Sequence, residues 1–153
     1  MTKKYLVTVG IFGLLVVIFG IVGDHVLKDK LVTANLESFQ TGVQYMMYHT
    51  LALLALSFGH KMFSKSFLNV VYVLFFVGIV FFSFGLIIQS TTEYTALGLG
   101  PMSFLIPMGS LSFLAGWVYI IYMGLSFKHT SSKKHHHSRS SSSSMSSSNS
   151  SEK

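Results

Sequence analysis

Four long apolar runs, separated by polar connections, dominate the chain. Residues 5–23 hold no charge between Lys4 and Asp24, and residues 67–91 hold none between Lys65 and Glu93. Residues 103–127 reach Lys128 without a charge, and residues 41–59 contain His49 but no Asp, Glu, Lys or Arg. A helix rises ~1.5 Å per residue, so about 20 apolar residues cross a hydrocarbon layer ~30 Å thick. Each run therefore predicts a transmembrane helix. The expected fold is all-α: an integral-membrane four-helix bundle over residues 1–128, followed by a disordered Ser-rich C-terminal tail over residues 129–153. Pro107 stands near the start of the fourth run, where a proline opens a helix or bends its first turns. Tyr122 marks the approach to the membrane interface, while Trp117 lies too deep for an aromatic belt.

The connection over residues 24–40 is the longest between spans. Leu27, Leu31, Leu36 and Phe39 fit one side of a short helix at the membrane surface, beside Lys28, Asp29 and Lys30. An ordinary polar loop fits the same residues. The first run also competes with a signal peptide, since Lys3 and Lys4 precede it. It is longer than the ~7–15 residues of a secretory apolar core, and no Ala-x-Ala site follows. Cleavage after Ile21, Val22 and Gly23 is the alternative.

Polar and small residues inside the runs are placed at helical spacing. Thr41, Gln44, Tyr45, Tyr48 and His49 fall at i, i+3, i+4, i+7 and i+8, on one helix face. Burying an amide, two phenols and an imidazole in hydrocarbon is costly without partners, so this face is expected to look inward. His25, beside Asp24, is a candidate partner near the outer mouth. Gly13 and Gly20, Gly78 and Gly85, and Gly109 and Gly116 each lie seven residues apart, so each pair shares a face. Small residues let helices approach closely where apolar burial gives no driving force, and narrow packing seams are expected at these glycines. A Gly-lined solute path is the sharper alternative. The resemblance of residues 13–20 to residues 78–85 hints at duplication of a two-helix unit.

Composition agrees with the membrane reading: 50% of residues are hydrophobic and 10% charged, against roughly 25% charged in soluble domains. The net charge of +6 sits in short clusters beside the apolar runs, the pattern of membrane anchors rather than of a nucleic-acid groove. The lipid bilayer is the implied partner, with a homo-oligomer or another membrane protein left open and nucleic acid excluded. The N-terminus, residues 59–66 and the tail carry nine basic residues, and the other two connections carry two. The positive-inside rule therefore places both termini in the cytoplasm or its equivalent. With no cysteine, disulfides, iron–sulfur clusters and thiol catalysis are excluded. The tail has serine tracts at 140–144 and 146–148, open to phosphorylation, and histidines at 135–137 that read as solvated side chains rather than a metal site. No nucleotide-binding or nucleophile-elbow motif occurs, and His25 and His49 lack zinc-site spacing. No cofactor or metal is implied.

Gly20, Gly23, Asp24, His25 and Lys28 form a glycine-rich, histidine-containing end to the first span. Thr41-Gly42-Val43-Gln44-Tyr45-Met46-Met47-Tyr48-His49 opens the second. Phe82-Ser83-Phe84-Gly85, Leu99-Gly100-Pro101, Pro107-Met108-Gly109 and Gly116-Trp117 follow in order. This series, over about residues 10–124, resembles the YgdD/YwdK family of small multi-span membrane proteins of unknown biochemical function. Phe39 stands where that family commonly has an aromatic residue, often Trp, and Asp24 replaces a usually small residue. The resemblance implies four helices and a membrane address, and it implies no reaction, ligand or partner.

Three roles compete for the polar stripe: hydrogen-bonding glue between helices, a binding or conduction site for a proton, ion or small polar solute, and a metal or catalytic site. The expected function is a multi-pass membrane protein with an accessory or structural role and no enzymatic activity. A small transporter or channel using Gln44, Tyr45, Tyr48, His49 and His25 is the alternative.

Overall fold

The computed structural model describes residues 2–59 and 63–126, and among these the regular secondary structure is entirely helical. Helix α1 (Thr2–Val22) runs on into a π-helical turn, Gly23–Leu27. Helix α2 (Thr33–Phe58) returns antiparallel to it. Helix α3 (Lys65–Gly78), a π-helical segment (Ile79–Ser83) and α4 (Phe84–Ser90) form one continuous rod. A single turn, α5 (Thr92–Thr95), and a 3-10 segment (Gly100–Phe104) lead into α6 (Leu105–Ser126). Ser64 caps α3, its Oγ accepting from the Phe67 N–H at 3.3 Å, which pairs one of the amides a helix start leaves free. The tail expected to be disordered lies outside the described residues.

Three stretches, Lys3–Leu27, Lys65–Ser90 and Gly100–Ser126, are long and apolar enough to cross a membrane. Helix α2 has 26 residues, about 39 Å at the α-helical rise, but Glu37, Gln40, Gln44 and His49 lower its hydropathy. It also begins well before residue 41. The connection over residues 24–40 is therefore neither a separate surface helix nor a long loop. Its first part prolongs α1, a tight turn follows, and its last eight residues are the opening of α2. Packing explains the difference: Leu27, Leu31 and Phe39 are buried, and the Phe39 ring sits against Gly23 and edge-on to Phe19 at 6.3 Å.

Helix α1 packs on α2, α3 packs on α6, and the π-helical segment and α4 lie between α2 and α6. Met46, Leu53, Val71, Phe75 and Ile79 are fully enclosed at the centre. Val7, Leu14 and Val17 of α1 and Leu111, Leu114, Val118 and Ile121 of α6 point outward, an apolar surface suited to lipid.

The glycines divide into two groups. A Cβ on Gly78 would enter the Phe113 ring, one on Gly116 would lie 2.5 Å from Phe75, one on Gly85 2.8 Å from Ile106, and one on Gly109 would strike the Phe82 backbone. These four form a narrow seam between α6 and the rod opposite it. A Cβ on Gly13 or Gly20 would meet nothing within 4 Å. Bulky rings space α1 from its neighbours instead, with Tyr5 edge-on to Tyr72 at 4.6 Å and Phe12 beside Phe76 at 5.6 Å. Gly42 provides a close approach of its own, since a Cβ there would lie 2.8 Å from the Ser83 carbonyl oxygen.

Two hydrogen bonds tie helices together. The Thr8 and Tyr72 hydroxyls share one at 2.8 Å, and the Ser112 hydroxyl donates to the Leu74 carbonyl at 2.7 Å. Ser112→Ala is expected to lower stability by about 0.6–2 kcal/mol, the range for interhelical contacts in membranes. A denaturant titration in micelles with an unchanged midpoint would count against this.

Candidate functional site

The polar stripe of α2 does not enter the protein as a unit. Thr41 is half-buried and turns back along its own helix, its hydroxyl donating to the Glu37 carbonyl at 2.8 Å. Gln44 is exposed, as are Tyr45 (40%) and Tyr48 (57%). The Tyr45 ring lies along the outside of the seam, 4.9 Å from the Phe82 ring. Only His49, 4% exposed, points inward. The expectation that the whole face looks inward is thus corrected. A helix face spanning five polar positions is wider than the line along which α6 and α3 touch α2, and His49 is the member on that line.

Phe113 of α6 and Phe75 of α3 receive the imidazole. The His49 ring stacks on Phe113 with centroids 3.5 Å apart and planes 11° from parallel, and Phe75 meets it edge-on at 5.0 Å. The Trp117 Nε1–H donates to His49 Nε2 at 3.3 Å. An indole nitrogen can only donate, so Nε2 must be an acceptor and the ring must be neutral with its proton on Nδ1. Nδ1–H then donates to the Tyr45 carbonyl at 2.8 Å. Both nitrogens and both neighbouring helices are thereby committed. Trp117, read from sequence only as too deep for an interface, is the partner that sequence reasoning missed. Its i, i+4 spacing from Phe113 was the available signal.

His25 lies on the π-helical turn after α1 and is exposed. The structure does not bring it to His49. Beside that turn, an open cleft of about 270 Å³ separates α1 from α2, lined by Phe19, Gly20, Gly23, Asp24, Phe39, Gln40, Val43 and Gln44. Gln44 is the only stripe residue in it. Among the described residues no three His, Asp or Glu side chains come together as a metal site.

A family model described as "Protein of unknown function (DUF423)" matches residues 19–110, which include the cleft, the stripe and the start of the α6 seam. The chain belongs to this family. It is 32% identical over 126 residues to the UPF0382 membrane protein YwdK of Bacillus subtilis, covering 82% of this chain and 98% of that one. It is 30% identical over 132 residues to the UPF0382 inner membrane protein YgdD of Escherichia coli K12, covering 84% and 95%. No solved structure matches it. The resemblance seen in the motifs is borne out, and with it the membrane character of the chain. The family description assigns no biochemical activity, and neither relative's name specifies a reaction.

Proposed function

We propose that this protein is a four-span membrane protein with an accessory or structural role, α2 being the polar fourth span and both termini lying on the cytoplasmic side. The observation that carries the reading is the closure around His49. The residue best suited to move a proton or hold a ligand spends both ring nitrogens and one ring face on contacts within the protein. The length of α2 and its packing between α1 and the α4 rod support a fourth span. The nine basic residues at the ends and the 59–66 connection support the orientation.

Vesicles reconstituted with the purified protein are expected to show no flux of protons, ions or small polar solutes at any pH between 5 and 8. Flux that disappears in His49→Ala while helicity is retained would overturn the reading. It would favour a transporter, with Gln44, Tyr45 and Tyr48 brought face to face between copies.

A further inference from the structure

The α1/α2 cleft combines features that the closed His49 site lacks. Asp24, Gln40 and Gln44 line it, and all three are exposed, while Phe19 and Phe39 form its apolar wall. A carboxylate accepts hydrogen bonds only, and each carboxamide contributes an acceptor oxygen. Such a set favours a positively charged donor, and an aromatic face nearby adds to the attraction. With no third metal-ligating side chain gathered here, a divalent ion is poorly served.

Position narrows the ligand further. Asp24 is the first charge after the apolar run that begins beyond Lys4, so it stands at the depth where hydrocarbon gives way to lipid headgroups. The surrounding field has the right sign: Asp24, Asp29, Glu37 and Glu93 occupy this end of the chain against Lys28 and Lys30. Lys30 is directed away, its Nζ donating to the Tyr94 hydroxyl at 2.9 Å and lying 4.7 Å from that ring's centre. The cleft is roomy beside the ~30 Å³ of one water, and a Cβ on Gly20 would meet nothing within 4 Å.

We propose that this cleft binds a small primary ammonium group, with Asp24 as its counter-ion and the side-chain oxygens of Gln40 and Gln44 accepting its N–H bonds. Two sources present that chemistry, the ethanolamine headgroup of a phospholipid and a free small amine. The proposal does not depend on the accessory role.

The test uses the full chain. Native mass spectrometry from mixed nanodiscs is expected to show phosphatidylethanolamine retained at least tenfold over phosphatidylcholine, whose headgroup has no N–H. Alternatively, delipidated protein binds ethanolamine in a saturation-transfer NMR titration. The first result identifies a lipid headgroup and the second a free amine. In either case Asp24→Asn and Gly20→Leu are expected to weaken binding about tenfold. Gly13→Leu, on the same helix but outside the cleft, is expected to leave it unchanged, and circular dichroism checks that each variant is folded. Absence of both kinds of binding, or binding indifferent to Asp24→Asn, overturns the proposal.

Discussion

Gly109→Val is expected to abolish the folded bundle or reduce it to a minor, aggregation-prone fraction. A side chain at this position meets the backbone of Phe81 and Phe82, which cannot turn away as a flexible side chain can. Overpacking in a well-filled interior costs about 1–3 kcal/mol and more where backbone must move. Here α6 would have to leave the rod opposite, separating Gly78 from Phe113 and Gly116 from Phe75 in the same motion. Size-exclusion profiles in mild detergent provide the measurement. Gly124→Val is the control, since a Cβ at that site meets nothing within 4 Å, and it is expected to elute as the parent protein does. Equal profiles for the two variants would mean that α6 does not pack at Gly109.

The second large effect is expected at His49. His49→Ala removes two hydrogen bonds, takes away the ring stacked on Phe113, and leaves the Trp117 N–H without its acceptor. Lost packing and an orphaned buried donor together place the destabilisation at about 3–5 kcal/mol. Trp117→Phe keeps an aromatic ring and frees only an acceptor, so about 1–2 kcal/mol is expected. The two changes should be strongly non-additive, with a coupling of about 1 kcal/mol or more in a double-mutant cycle. Nitrogen NMR of labelled histidine offers an independent check, with His49 expected as the Nδ1–H tautomer. The Nε2–H tautomer, or additive mutational costs, would dismantle the clamp.

The glycine pairs show what the sequence carries about such packing and where it stops. Spacing of seven residues correctly places two small residues on one helix face, and at Gly78, Gly85, Gly109 and Gly116 that face meets another helix. Gly13 and Gly20 have the same spacing and no close neighbour, because Tyr5, Phe12 and Phe19 hold α1 off by their size. Periodicity reports which residues share a face; it does not report which face another helix will cover. The polar stripe follows the same rule. Its register on α2 was legible, yet the selection of His49 alone depends on where α6 brings Phe113 and Trp117. The early start of α2 escaped notice because residues 33–40 are polar enough to pass for a connection, and only the burial of Phe39 beneath α1 reveals their role. Neither π-helical segment has a composition that distinguishes it from α-helix.

The segment Ile79–Ser83 has a consequence for how related chains are compared. Each helical residue advances the side-chain direction by about 100°. A relative lacking one position here would lose only ~1.5 Å of length, but everything after the gap would be turned by about 100°. Gly85 would swing away from Ile106, and the Ser83 carbonyl would leave Gly42. A single-position gap in an alignment at this point is therefore a change of rotational phase rather than of span length, and substitutions on α2 and α6 should travel with it.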